Sequence, residues 1–309
     1  GDYYAAAMNA AAVDEAGSAP LRDDLAAIAA LKSSMDVAAL IADWQVRGNQ
    51  TLFDFEAQPD LKHSGTDILY AAQGGIGLPD RDYYLRDDAK SKQLLAQYRS
   101  HVARMLGLLG DTNAKEEADW IVALETRFAK ASLDRVALRD PANSYHIVTP
   151  AEADAKTPHF SWTAFLDKAG RSDVKNFSLA QPDFFAAADA ALADVPLAHW
   201  QAWLRWRLVD ADAAYLSKPF VDADFAFKGS LLRGAKQNLP RYKRVSRSAD
   251  RDVGEVLGDT YVAQVFPPEA KQRALDLVNN LKTALRARIA RLQWMSADTK
   301  KSAYAKLDT

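Results

Sequence analysis

The sequence predicts a mainly α fold, a multi-helix lobe with a small β hairpin or sheet near residues 51–72. Alanine and leucine dominate its 309 residues, whereas glycine and proline number only 14 and 12, and this composition favours helix. Apolar residues recur at helical spacing through most of the chain. The alternation typical of strands is found only at residues 51–55 and 67–70, which a polar, turn-rich link separates.

Three helices are expected before the β element. Gly17 ends the first and Gly48 ends the third, since glycine readily adopts the backbone conformation found just beyond a helix C-terminus. Their predicted ranges are 3–16, 20–32 and 37–47.

The chain beyond residue 85 is predicted to be helical almost to its end. Thr149, Pro150 and Glu152 have the spacing of a capping box with proline at the first helical position. The Asp-Pro pair at 140–141 marks an irregular stretch at 135–145. The predicted helices are 88–109, 113–131, one from 149, one from 161 that ends before 170, one from 181, then 197–216, 220–236, 253–265, 268–292 and a last one from 296.

Overall charge and cysteine content narrow the function classes. The formal net charge is −2, so it predicts neither a nucleic acid nor an anionic membrane as partner. No apolar run has the roughly 18 residues that a membrane-spanning helix needs. The chain has no cysteine, which excludes disulfides and thiolate metal sites within it and is compatible with an exported bacterial protein. The start is not signal-like and resembles a cut in a longer chain.

The segment between the β element and the helical body is the most distinctive in the sequence. It reads Gly-Gly-Ile-Gly-Leu-Pro-Asp-Arg-Asp-Tyr-Tyr-Leu over residues 74–85, and we call it the elbow. Its three glycines permit conformations closed to other residues, and Pro79 fixes one dihedral angle. We predict a rigid turn that joins the sheet to the helices.

The elbow also allows functional interpretations. Its glycine run could form a phosphate loop, but it lacks the Lys-Ser/Thr ending and the spacing of the nucleotide-binding fingerprints, so a structural turn is favoured. Arg81 and Asp82 could contact a substrate. An ion pair or cap that holds the elbow is the favoured interpretation of both.

A common helical zinc site consists of two histidines four residues apart, with a glutamate between them. None of the five histidines is followed by another at that spacing, and they are His63, His101, His146, His159 and His199. A zinc site assembled from distant segments stays open, but ordinary surface or core histidines are favoured. We therefore assign no catalytic and no metal-binding residue, and the substrate-binding residues stay unknown.

Two further clusters each have a functional and a structural interpretation. Trp200, Trp203 and Trp206 could line an apolar peptide pocket, but packing between helices is favoured. Residues 228–251 carry eight basic residues against one acid, Asp250. A basic surface that attracts peptide carboxylates competes there with a solvated connector whose charges pair with acids elsewhere, which is favoured.

The elbow closely resembles a signature in the N-terminal half of the neprilysin and endothelin-converting-enzyme family of zinc metallopeptidases. Weaker likenesses to that family follow in order along nearly the whole chain. They lie at residues 4–9, 17–21, 160–162, 241–244, 253–258, 261–262 and 294–303.

This resemblance implies that residues 1–309 are the N-terminal helical (lid) region of a bacterial zinc metalloendopeptidase. The family's His-Glu-x-x-His helix, its further glutamate ligand and its substrate-anchoring Asn-Ala motif do not occur in the sequence. In the parent enzyme, zinc and that motif's glutamate would activate water for peptide hydrolysis. This chain would bind no zinc, would be inactive alone, and would enclose the active-site cavity and restrict substrate size.

The resemblance also implies partners and a location. The expected partners are the catalytic half of the same enzyme and peptide substrates, and the expected location is the periplasm, the cell envelope or the extracellular space. The alternative is a stand-alone helical module that binds proteins or peptides without peptidase activity. An apolar face left exposed for a catalytic half would favour the lobe over the module.

A disulfide of animal family members gives a geometric expectation. These members pair a cysteine of the early helix with one after the basic segment, and the matching positions here are Ala7 and Val245. We expect their Cα atoms to lie within about 7 Å, the reach of a disulfide.

Overall fold

A computed structural model describes residues 1–63 and 65–308, which form two compact units. Unit 1 contains residues 1–8 and the chain from 239 onward, and unit 2 contains residues 9–238. Helix predominates in both units and a small sheet lies in unit 2. The predicted mainly α fold is therefore confirmed.

The helices follow the predicted order along the chain. No helix in the described part of the chain is both long and apolar enough to cross a membrane. The helices are α1 (Asp2–Met8), α2 (Ala10–Ala16), α3 (Arg22–Ala29), α4 (Ser34–Val46), α5 (Asp82–Leu85), α6 (Ala89–Leu108), α7 (Ala114–Ala131), α8 (Pro150–Lys156), α9 (Trp162–Lys168), α10 (Pro182–Asp194), α11 (Leu197–Asp212), α12 (Lys218–Asp224), α13 (Arg241–Val265), α14 (Pro268–Arg291) and α15 (Ala297–Asp308).

The predicted hairpin is part of a four-stranded sheet. Strand β1 (Phe53–Pro59) pairs antiparallel with β2 (Asp67–Gln73). Two short strands, β3 (Ile147–Val148) and β4 (Phe177–Leu179), extend the sheet in the order β1-β2-β4-β3, with β4 parallel to β2. The sequence does not predict β3 and β4, because two or three residues are too few to show an alternating pattern.

Two predicted helices are divided in the structure. The predicted helix 3–16 is interrupted at Asn9, whose side chain accepts a hydrogen bond from the Ala12 amide and caps α2. The predicted helix 220–236 is α12 followed by a π-helix, Phe225–Leu232. Both predictions were therefore too simple, since apolar periodicity does not distinguish a capped break or a π-helical turn from continuous α-helix.

Helix α7 is the centre of unit 2, where it packs against α5, α6, α10 and α11. Its Phe128 ring lies about 6 Å from the rings of Trp200 and Trp203, with centroid separations of 6.2 and 6.0 Å. Trp206 is likewise fully buried. The three tryptophans therefore pack the core between helices, as the favoured interpretation predicted.

A second aromatic cluster attaches the sheet to the helices. The Phe53 ring of β1 lies between 5.1 and 6.0 Å, centroid to centroid, from four other rings. These rings belong to Phe160, Trp162, Phe165 and Phe185. All five side chains are buried, so this face of the sheet is part of the hydrophobic core.

In unit 1, α1 packs against α13 and α14 packs against α15. The Arg241 guanidinium Nε of α13 donates a hydrogen bond of 2.8 Å to the Ala7 carbonyl oxygen of α1. Val245 lies one helical turn beyond Arg241 and is buried. Ala7 and Val245 therefore belong to helices that contact each other, and their Cα–Cα separation stays a prediction.

Gly77 of the elbow should tolerate no side chain. A Cβ built on Gly77 would lie 2.1 Å from the buried Tyr98 hydroxyl. We expect Gly77→Ala to lower the free energy of unfolding by about 2–3 kcal/mol, because the core must move to admit it.

Gly107 of α6 is the matched control, because a Cβ there meets nothing within 4 Å. Gly107→Ala should be neutral or stabilising by up to about 1 kcal/mol, since alanine favours helix. Chemical denaturation of both variants measures the difference, and a Gly77→Ala chain as stable as the parent would contradict this close packing.

Candidate functional site

The elbow is a tight turn whose glycines are required by the backbone. Gly75 has a φ of +71°, a conformation that residues with a side chain rarely adopt. A Cβ on Gly74 would lie 3.0 Å from the Leu52 carbonyl oxygen. Because turn geometry and close backbone approach account for both glycines, the structural interpretation of the run is confirmed.

A fully buried carboxylate, Glu125 of α7, anchors the elbow to the helices. The Tyr84 hydroxyl accepts hydrogen bonds from the Gly77 and Leu78 amides, at 3.1 and 3.0 Å, and donates one of 2.7 Å to Glu125 Oε2. The Tyr98 hydroxyl of α6 donates to the same oxygen at 2.6 Å.

Helix α11 completes this arrangement. The Trp206 indole Nε1 of α11 lies 3.2 Å from Glu125 Oε1 and 3.1 Å from the Tyr98 hydroxyl. One carboxylate thus connects the elbow with α6, α7 and α11, and we call Tyr84, Tyr98, Glu125 and Trp206 the Glu125 network.

The raised pKa values of Tyr84 and Tyr98 keep both hydroxyls as hydrogen-bond donors to Glu125. Burial, followed by the negative charge of Glu125, raises the pKa of both Tyr84 and Tyr98 well above the ordinary value. The two hydroxyls therefore keep their protons. Burial raises the pKa of Glu125, while nearby Arg207 and the tyrosine hydrogen bonds oppose that rise.

Asp82 forms an ion pair, as the favoured interpretation predicted, whereas Arg81 holds the elbow through a hydrogen bond to a backbone carbonyl. The Arg81 guanidinium donates to the Ser132 carbonyl oxygen just beyond α7. Asp82 forms an ion pair of 2.9 Å with Arg86 one turn later in the chain. A substrate role for either residue stays untested.

The five histidines lie in separate environments. His63 is exposed, His146 Nδ1 lies 2.9 Å from the Ala180 carbonyl oxygen, and His159 Nδ1 lies 3.0 Å from Asp189. His199 stacks on Trp120 with a centroid separation of 4.3 Å. His101 is buried in the core of unit 2.

Residues 1–63 and 65–308 contain no group of three or more His, Cys, Asp or Glu side chains that could hold a metal ion. The sequence likewise offers no pair of histidines at helical zinc spacing. The part of the chain that the structure describes therefore does not fit a zinc site.

His101 is held neutral between α6 and the π-helix. Its ring stacks on Phe227 with a centroid separation of 4.7 Å and meets Trp206 edge-on. Burial, aided by the positive charge of Lys228, lowers the pKa of His101 to about 4. Its Nε2 is buried without a hydrogen-bond partner, so protonation there gains no acceptor.

Two of the basic residues in the stretch at 228–251 form ion pairs with acids. Lys228 forms ion pairs of 2.7 and 3.1 Å with Asp210 and Asp224, and Arg251 pairs with Asp252 at 3.0 Å. The predicted pairing with acids is confirmed for these residues. The predicted connector is wrong from Arg241 onward, because α13 begins there and continues through a kink at Val253.

Long helices of unit 1 carry an exposed apolar surface. Only Val245, Ala249 and Ile289 are buried among the residues of α13 and α14, although these helices are 25 and 24 residues long. From Val256 onward, ten large apolar side chains on these helices are between 47% and 72% exposed, and we call them the apolar face. They are Val256, Leu257, Tyr261, Val262, Val265, Leu275, Leu277, Val278, Leu281 and Leu285.

Such a surface is unusual for a protein without a partner. On each of the two helices several of these side chains lie three or four residues apart, which places them on one side of the helix. Large exposed apolar patches mark interaction sites on soluble proteins. Helices gain most of their stability by packing an apolar face against a neighbour. The apolar face therefore has the composition of an interface, and it matches the feature that the sequence analysis expected of a lobe rather than a module.

Together these features define a helical scaffold with an anchored elbow, an exposed apolar face and no zinc-ligand set in its described part. The model of the N-terminal region of Peptidase family M13 matches residues 1–309. The chain belongs to this family. The family recognised from the elbow is thereby confirmed.

Relatives and solved structures agree with this assignment. Bovine endothelin-converting enzyme 1 is 24% identical over 332 residues, covering 99% of this chain and 42% of the relative. Endothelin-converting enzyme-like 1 of Mus musculus is 30% identical over 262 residues, which cover 83% of this chain and 34% of the relative. The inhibitor complex of Mycobacterium tuberculosis zinc metalloprotease ZMP1 is 35% identical with a TM-score of 0.89, covering 100% of this chain and 47% of that structure.

The chain therefore spans about two fifths of the length of the first curated relatives and about half of the length of the solved ones.

Glu125 is the site residue that sequence reasoning missed. A signal was present, because Glu125 lies four residues after Ile121 and three before Phe128, on the buried stripe of α7. An acid at a core position of an amphipathic helix predicts a buried polar network.

His101 should make the stability of the chain depend on pH. Its pKa is about 4 in the folded state and about 6.5 in an unfolded chain. Its contribution is fully present above about pH 6.5 and is lost as the pH falls to about 4, because only the unfolded state then takes up the proton. The loss should be about 3 kcal/mol.

Denaturant titrations between pH 4 and 7 measure this slope. His101→Leu should flatten it, whereas His63→Leu, which removes an exposed histidine, should leave it unchanged. Parallel loss of stability in the parent and in His101→Leu would show that other groups cause the slope.

Proposed function

We propose that this chain is the non-catalytic N-terminal lobe of a zinc-dependent metalloendopeptidase. The observation that carries the proposal is the apolar face of unit 1, in a chain that covers 42–48% of its first curated and structural relatives. The occupant of that face is the catalytic half of the same enzyme. Docking would remove its leucine, valine and tyrosine side chains from water.

The chemistry is divided between the two halves in this proposal. Zinc and the groups that break the peptide bond belong to the catalytic half, since the described residues of this chain offer no ligand set. This chain supplies walls of the active-site cavity, orients peptides and limits their size. The Glu125 network contributes by fixing the elbow rigidly against α6, α7 and α11.

Peptide substrates and an exported location belong to the same proposal. The similar ZMP1 of Mycobacterium tuberculosis is a zinc metalloprotease, which supports peptides as the substrate class. A periplasmic, cell-envelope or extracellular location follows from the family resemblance, and cell fractionation of the source organism tests it. Recovery of the protein in the cytoplasmic fraction would contradict that part.

Peptide cleavage separates the lobe from a stand-alone binding module. We expect the 309-residue chain alone to leave peptides intact, because the proposal places the zinc and the catalytic groups in the other half of the enzyme. The longer natural protein should cleave them, and a metal chelator should abolish the cleavage. Chelator-sensitive cleavage by the short chain, or a longer protein without any peptidase activity, would contradict the proposal.

Substitutions on the apolar face test the docking itself. Leu277 and Leu281 lie four residues apart on α14, and both are at least 60% exposed. In the longer protein, Leu277→Gln with Leu281→Gln should lower the free energy of unfolding by about 2–4 kcal/mol, because polar groups would enter a buried interface. In the 309-residue chain, the same pair should reduce binding of an apolar dye and leave stability unchanged.

Lys282→Gln on the same helix is the matched control, since Lys282 is exposed. Lys282→Gln should change neither the stability nor the dye binding of the 309-residue chain or of the longer protein. Thermal unfolding and dye fluorescence measure both effects. Equal destabilisation of the short and long proteins by the leucine pair would show that the apolar face packs within this chain and does not dock a catalytic half.

A further inference from the structure

A concave pocket of about 370 Å³ lies beside the elbow in unit 2. Its walls come from the residues around the start of β1, the end of β2, the elbow, the loop after α7 and the middle of α11. Five charged side chains line it: Asp54, Asp80, Arg81, Arg135 and Arg207.

The charges that line this pocket do not balance. Three arginines face two aspartates, which leaves one net positive charge. Asp80 and Arg135 neutralise each other in an ion pair of 2.8 Å. Within residues 1–63 and 65–308, neither Arg81 nor Arg207 forms an ion pair at 4 Å or less. Arg207 does lie near enough to Glu125 and Asp54 to oppose the rise in the pKa of both carboxyls. The net positive charge of the lining therefore comes from these two guanidinium groups, set against Asp54.

Both guanidinium groups also keep a donor unused. Arg81 donates to the Ser132 carbonyl oxygen, and Arg207 Nη1 donates to the Ile76 carbonyl oxygen at 3.2 Å. The Nε of each is buried and has no hydrogen-bond partner among the described residues. A buried donor without an acceptor costs about 1–3 kcal/mol, so protein atoms satisfy these two guanidinium groups only in part. Both groups line the pocket, where their positive charge favours an anionic occupant.

We propose that this pocket binds a small carboxylate monoanion through Arg81 and Arg207. One negative charge neutralises the lining, and a planar carboxylate matches the donor geometry of a guanidinium group. The carboxylate is that of a free small acid or the C-terminus of a peptide, which share this chemistry. The pocket lies within unit 2, so its binding does not depend on the peptidase assignment.

Substitution of Asp54 gives a test in which binding should become tighter, a result that loss of folding cannot produce. Its carboxylate lines the pocket and would repel the anion. Asp54→Asn should therefore tighten binding, by roughly 3- to 10-fold in Kd. Arg81→Gln should weaken binding by at least roughly 10-fold. Arg99→Gln is the matched control, because Arg99 pairs with Asp119 at the surface and lies outside the pocket.

Calorimetric titration of the full-length protein with acetate, N-acetylalanine and N-acetylalaninamide measures these affinities. A chelator is present throughout, so that no carboxylate binds through a metal. Acetate and N-acetylalanine should bind, more weakly at high salt, and the uncharged amide should not. Equal affinity of the two acids assigns a free small acid, and clearly tighter binding of N-acetylalanine assigns a peptide terminus.

If the acids bind, two results would still overturn the proposal. One is an amide that binds as tightly as its acid, which would exclude recognition of the negative charge. The other is an Asp54→Asn protein that binds acetate and N-acetylalanine no more tightly than the parent. Absence of binding by both acids to the folded parent protein would overturn it as well.

Discussion

The buried carboxylate of Glu125 is the interaction on which the arrangement of unit 2 depends. A carboxylate without exposure must have its oxygens satisfied by donors, because the cost of burying it is otherwise several kcal/mol. Here the donors are Tyr84 of the elbow, Tyr98 of α6 and Trp206 of α11. Loss of any one would leave the others with an unsatisfied partner, so the elbow and three helices are fixed together rather than separately.

The elbow connects the sheet with the core helices and also forms part of the pocket wall. Its first residues leave β2, and its last ones form α5 against α7. Its glycines follow the Leu52 and Phe53 backbone too closely for a side chain at Gly74. The pocket beside it therefore has walls that belong to the rigid core, which is what a binding surface requires to hold a ligand in one orientation. The glycines that make this segment recognisable are the same residues that allow its close approach to the Leu52 backbone.

The sequence allowed prediction of those features that depend on local pattern. Apolar periodicity predicted the bounds of α6 and α7 to within a residue or so, and the capping-box spacing at Thr149 correctly predicted the start of α8. The π-helix and the pairing of β4 with β2 depend on partners distant in sequence, as do the donors to Glu125, so no window of residues shows them. The apolar face was expected only as a consequence of the family resemblance, and its location on α13 and α14 required the structure.

Exchange of backbone amide hydrogens in α13 and α14 tests the central claim, that these helices form a docking surface for a catalytic half. The account predicts weak protection along both helices in the 309-residue chain, since few of their side chains are buried. In the longer natural protein the same amides should be strongly protected, while α7 should be protected equally in both. Strong and equal protection of α13 and α14 in the two proteins would contradict the account.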